Sequence, residues 1–457
     1  MGITNGRTAS SDRETNSLNY YSVYTLKLTL KQLLPLIGLA VLFTSCKNND
    51  KPIVDTVFVD SLISHYSEPT AITENQKEID FWKKRIDPSN PGITNEMKYA
   101  ANLTQRFQLK GDINDLVLSD SVLKFIDSVF AHKEASPNLA LCHRCLLRHR
   151  FGDALRYLSI ARNIGIKSYD NYSTGFDIDF ELGNYYVAEQ ELGHLNLPND
   201  YGYYFRLAKM EHYKADLKAS IDAMKKAVEY SGENNSLKGA AMSNLADLYM
   251  HDADLSNAYE QYIRSIKLNS ADLHSIMGVG WIALMHDKND SLAERIFRFV
   301  ESRTQSPEPL LKLVFVSEFR GDSISTLKLA RQFEAIVTKP VYGDMYNKYL
   351  IDLYTGILDD PAKAEMTAAR ELTNRNTPQT RAWYVWSLFC ENKKDLAYKE
   401  YEENVSGKPL EGLELFWMGK MMQGIGKKYN ADQFFKAAYN NRYDLSPAKV
   451  SFLESNK

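Results

Sequence analysis

The stretch GAAMSNLADLYMHDADLSNAYEQYIRSIKLNS, residues 239 to 270, decides the fold. Leu245, Ala246 and Tyr249 fall on one helical face of its first half; after the polar run HDAD, Ala258, Tyr262 and Ser265 do the same in the second. Large, small and aromatic residues at such intervals predict two helices joined by a turn. Small residues let the two helices approach closely, and aromatics fill the space between them. The apolar face left over needs a neighbouring unit to cover it, so one such pair implies more.

The pattern recurs. Leu207, Ala208, Ser220, Met224 and Ala227 form the preceding unit, and Leu141, Cys142, Cys145, Ala154, Leu158 and Ala161 an earlier one. Val279, Gly280, Ala293, Phe297 and Val300 follow with a turn one residue longer, and Met418, Gly419, Met422, Ala431, Phe435 and Ala438 make the last. Weaker copies around Leu103, Phe176, Leu313, Leu350 and Tyr384 bring the total to about ten. The intervals resemble the tetratricopeptide repeat (TPR), an antiparallel helix pair of about 34 residues. That resemblance implies an all-α, right-handed superhelical α-solenoid over residues 76–457, with SPAKVSFLES (446–455) as a capping helix. The run AARELTNRNTPQTRAW (368–383) resembles a bacterial subfamily of these proteins, in which a helix ends in Asn-Arg, a Thr-Pro loop follows and Trp opens the next helix.

Four tripeptides punctuate the units: KGD (110–112), FGD (151–153), LGN (182–184) and RGD (320–322). Each reads as the turn between the two helices of a unit, with Gly in the left-handed position that ends one helix and Asp or Asn capping the next. On this reading Arg320-Gly321-Asp322 is a turn rather than an adhesion ligand.

The N-terminus has a different character. Lys27 and Lys31 lead into an apolar stretch, Leu33 to Phe43, that ends on Thr44, Ser45 and Cys46. That stretch is well short of the roughly 20 apolar residues that span a bilayer, and it has the layout of a secretory signal. Small residues followed by Cys resemble the lipobox of Bacteroidota-type lipoproteins. The resemblance implies removal of residues 1–45, lipidation of Cys46, a flexible tether over 46–75 and an outer-membrane location, with the side faced left open.

Net charge is −3, and no Lys/Arg stripe interleaved with aromatics points to nucleic acid. Cys142-His143-Arg144-Cys145, with His149 beyond, has metal-ligand spacing, yet both cysteines fall on core positions of a helix and read as compact hydrophobes, as does Cys390. Gly278-Val279-Gly280 lies inside a helix rather than after a strand, so it is no phosphate loop. No catalytic motif, metal site or cofactor is expected.

The remaining expectation is binding. In solenoids of this type the inner surface is lined by the first helix of each pair. Mapped here, it presents Phe205, Lys209, His212, Tyr213, Asp247, His251, His274, Met277, Trp281, Trp386, Phe389, Phe416 and Lys420. Aromatics mixed with cations suit an extended peptide of a partner protein. The alternative is a glycan-binding lipoprotein of the starch-utilisation (SusD-like) type, which would devote long insertions to its sugar site. Asp-Ser or Asp-Thr followed by a small apolar residue resembles the O-glycosylation sequon of exported Bacteroidota proteins and occurs at Thr56, Ser61, Ser121, Ser128, Ser291 and Ser323.

Overall fold

The computed structural model describes residues 51–456, in which every regular element is a helix. Two helices, α1 (Thr56–Ser64) and α2 (Thr70–Lys83), precede the repeats. Five hairpins follow: α3 (Ile93–Lys110) with α4 (Ile113–Val129), α5 (Ala135–Leu147) with α6 (Phe151–Ile164), α7 (Ser168–Leu182) with α8 (Tyr185–His194), α9 (Tyr201–Tyr213) with α10 (Leu217–Tyr230), and α11 (Asn235–His251) with α12 (Leu255–Leu268). Five more complete the array: α13 (Leu273–Met285) with α14 (Asp290–Glu301), α15 (Glu308–Phe319) with α16 (Ser323–Val337), α17 (Asn347–Tyr354) with α18 (Pro361–Asn374), α19 (Pro378–Cys390) with α20 (Lys394–Asn404), and α21 (Gly412–Gly424) with α22 (Lys428–Asn440). The capping helix is α23 (Pro447–Ser455). These ten hairpins coincide one for one with the units read from the sequence, and the fold is an all-α solenoid of TPR-like pairs.

Packing follows the small-residue logic. Ala246, Ala258 and Ser265 are fully buried at the α11–α12 seam, with Leu245 and Tyr262 packed beside them. The two glycines of α13 serve the same close approach. A Cβ on Gly278 would lie 2.4 Å from the Tyr262 ring, and one on Gly280 would lie 2.7 Å from the Phe297 ring.

Two of the four punctuating tripeptides behave fully as expected, and a third, LGN, does so in its glycine alone. Gly111, Gly183 and Gly321 are left-handed, with φ of 71°, 84° and 69°, and Asp112 and Asp322 accept hydrogen bonds from the first turns of α4 and α16. Asn184 caps nothing with its side chain; its amide donates to Asp179 instead. The fourth tripeptide is a correction. Phe151 already begins α6, so Gly152 and Asp153 sit inside the helix, and the left-handed residue is His149 at φ 53°. Ala215 and Ala253 take the same left-handed place in other hairpins, each directly before an Asp cap.

The array winds back on itself. Gln305 N–H and the Thr304 hydroxyl both donate to the Lys110 carbonyl, while the Asn374 amide donates to the His149 carbonyl and accepts from the Phe151 N–H, 223 residues away. Successive windings therefore touch.

The flexible tether over 46–75 is also corrected for its described part. Residues 56–64 form α1, with Val54 and Val59 buried in the main core. Ile53 and Val54 each donate a backbone N–H to the Asp287 carboxylate at 2.9 Å. The order of this segment leaves no local mark, because the partner that satisfies its backbone lies more than two hundred residues further on. Cys46 and the proposed leader lie outside the described residues, and no helix among the described residues is long and apolar enough to cross a membrane.

Candidate functional site

The windings enclose a cavity of about 570 Å³, lined by residues from His149 to Asp444. Its first wall comes from α7 to α11. Tyr185 and Tyr213 stack with ring centroids 3.6 Å apart, and Phe180 packs edge-on against both. The opposite wall comes from the α16–α17 connection, the Thr-Pro loop before α19, and the loops flanking α21 and α22.

Ion pairs tie the walls together. Glu181 accepts from Lys209 at 2.7 Å and from Arg375, 194 residues away, at 2.8 Å. Burial works to raise the Glu181 carboxyl, but the two cations outweigh it and hold it below the ordinary range. His251 pairs with Asp444 at 3.0 Å; burial opposes the charged imidazole, yet the Asp444 contact prevails and raises it to about 9. His212 lies 4.9 Å from His251 between ring centroids, and burial and that charge push it down.

Lys348 bridges two carboxylates, Glu411 and Glu414, each at 3.0 Å. The pair splits as close acids do: Lys348 draws Glu411 down to about 2, while burial pushes Glu414 up. Trp383 Nε1 donates to Glu414 at 2.7 Å, and the second Glu414 oxygen is buried without a hydrogen-bond partner among the described residues. His149 faces the same space, held neutral by burial at about 4, with its Nδ1 also unpartnered among the described residues.

Of the expected inner-surface residues, Lys209, His212, Tyr213 and His251 line the cavity. Asp247 and His274 are not in its lining but form a pair, His274 Nε2 being 2.9 Å from a carboxylate that also accepts from the Tyr262 hydroxyl. Asp247 raises His274 to about 9.

Four others are corrections. Met277, Trp281, Trp386 and Phe416 are at most 8% exposed and belong to the core. Trp386 stacks on Trp417 with planes 8° apart, and its indole N–H donates to Thr355. Phe389 is half-buried on Trp386, Phe205 packs against Tyr201, and Lys420 lies over the Phe452 ring; none of the three lines the cavity. A helix packed between two neighbours has more buried faces than one repeat register predicts.

Missed were Glu181, Tyr185, Lys348, Tyr349, Arg375, Trp383, Glu411, Glu414 and Asp444. Except for Trp383, within α19, they sit near helix ends or in loops, and all but Glu181 and Tyr185 belong to the opposite wall, so no local spacing marks them. The run NRNTPQT did carry a signal: it supplies Arg375, Thr377 and Gln379 to the wall.

Cys142 and Cys145 are buried free thiols in α5, pushed up to about 12 and about 11 mainly by burial. No group of three or more metal-ligating side chains occurs among the described residues. The six sequon hydroxyls are all exposed, but every one lies on a helix, including Thr56 and Ser61 on α1 rather than on a free tether.

No protein-family model matches this chain, and no curated protein does. Among solved structures it is similar to a tetratricopeptide repeat protein from Parabacteroides merdae, at 14% identity over 63% of this chain and 98% of that one, with a TM-score of 0.32. It is also similar to yeast Tom70 (11% identity, 84% and 95% covered, TM-score 0.39) and to the Cut9–Hcn1 hetero-tetramer of APC/C (12%, 87% and 68%, 0.45).

Proposed function

We propose that this chain is a non-enzymatic, lipid-anchored scaffold that takes a peptide segment of a partner protein into its central cavity at the outer membrane. The cavity supports this reading: about 570 Å³ lined by a tyrosine stack, paired carboxylates and cations drawn from two windings. Such a surface offers ring area at low entropy cost and hydrogen-bonding groups for a polar backbone. Connections between described helices run to nine residues at most, at 84–92 and 338–346, so the long insertions of a sugar-capturing lipoprotein find no counterpart there.

The anchor is carried by the sequence, through Cys46 after its apolar run. Acyl chains contribute about 0.8 kcal/mol per buried CH₂, enough for two or three of them to hold a soluble domain stably. Cys46→Ala is expected to move the protein from the membrane fraction to the soluble fraction with its thermal melt unchanged. Cross-linking in intact cells, read by mass spectrometry, tests the partner: adducts to cavity residues support the scaffold, and sugar binding without a protein adduct would overturn it.

A further inference from the structure

Helix α15 carries one charge in the middle of an apolar run, Leu310-Leu311-Lys312-Leu313-Val314. The four neighbours are buried, and Lys312 is half-buried with its ammonium 3.9 Å from the centroid of the Trp281 ring; that indole bonds in turn to Tyr443, next to Asp444 of the cavity wall. Lys312 lies outside the cavity lining, whose own cations have carboxylate partners within 4 Å: Lys209 has Glu181, Lys348 has Glu411 and Glu414, and His251 has Asp444. Lys312 has no ion-pair or hydrogen-bond partner among the described residues. Burial draws its amine down to about 8, against the nearby Glu308, Asp247 and Asp444. Two of those three are already engaged, Asp247 by His274 and Tyr262 and Asp444 by His251.

A cation set among apolar neighbours with carboxylates near but none in contact keeps its N–H donors unsatisfied by the protein unless something supplies an acceptor. The Trp281 face covers one side of the ammonium and offers a cation–π contact, which does not use up three N–H donors. The arrangement leaves N–H donors free for a compact oxyanion.

We propose that Lys312, seated on Trp281, is the subsite that receives a carboxylate of the partner's peptide segment. This rests on the scaffold reading above. The carboxylate comes from an Asp or Glu side chain or from a chain terminus, and the test separates these.

The full chain is treated with an amine-acylating reagent, and modification of Lys312 is followed by peptide mapping in the presence of three probes. These are a capped glycine-rich peptide containing Asp and Glu, its Asn and Gln counterpart, and an acetylated oligoglycine with a free C-terminal carboxylate. At least one carboxylate probe is expected to slow acylation of Lys312 by about threefold or more, with no effect of the amide probe; which of the two acts identifies the source. Equal rates with all three would overturn the proposal.

In parallel, Lys312→Met keeps the stem over Trp281 and removes the charge. It should weaken capture of the cross-linked partner about tenfold, while Lys312→Arg retains it. Unchanged capture by Lys312→Met would overturn the subsite and leave the scaffold standing. Protection by a carboxylate probe in a protein that captures no partner would do the reverse.

Discussion

The indole N–H of Trp281 donates to the backbone carbonyl of Tyr443 at 2.7 Å, across 162 residues of chain. A residue whose repeat position marks it as ligand-facing instead joins α13 to the last turn of the array. Its ring stands edge-on to Phe315 and under Lys312, so Trp281 packs, fastens and presents a cation at once.

Trp386 is buried against Trp417. Trp386→Ala should lower stability by about 3 to 5 kcal/mol, because it opens a large cavity in the core between neighbouring hairpins. Trp386→Phe keeps a ring against Trp417 and loses the bond to Thr355, so it should cost less. Thermal or denaturant unfolding measures both, and an unshifted Ala variant would contradict the packing.

Gly278→Ala should destabilise, although Ala is favoured over Gly in a helix by about 1 kcal/mol. The new methyl would meet the Tyr262 ring, and that ring cannot swing freely because its hydroxyl is held by Asp247 at 2.5 Å. Overpacking of this kind costs about 1 to 3 kcal/mol, which outweighs the propensity gain. A raised melting temperature would show that the α12–α13 contact is looser than it looks.

The His251–Asp444 pair should make stability fall as pH rises. An unfolded histidine titrates near about 6.5, whereas His251 in the fold is raised to about 9. Its contribution is therefore complete below about pH 6.5 and is lost as pH rises through about 9. Denaturant unfolding of the wild type and His251→Gln should differ most at the acid end of a series from about pH 5.5 to 10 and converge at the alkaline end. A gap independent of pH would rule the ion pair out as its source.

Asp287→Ala should free the N-terminal segment without melting the repeats. The carboxylate accepts from Ile53 and Val54, and its loss strands two backbone donors at a cost of about 1 to 3 kcal/mol each. Hydrogen exchange should speed up over residues 53–64 and stay unchanged in α11 to α14. Uniform loss of protection would mean that the segment supports the whole array.

The sequence by itself determined the repeat. Small residues such as Ala246, Ala258 and Ser265 are needed wherever two neighbouring helices touch, so the requirement is local and leaves a periodic mark. The same locality made Gly111, Gly183 and Gly321 legible as turns. Only the tertiary structure decided which residues meet across windings. Glu181 finds Arg375, His251 finds Asp444 and Val54 finds Asp287 over separations of 193 to 233 residues, set by how the small rotations between successive hairpins add up. No spacing records that sum, and it brought the cavity wall of Lys348 and Glu411 opposite that of Glu181 and His251.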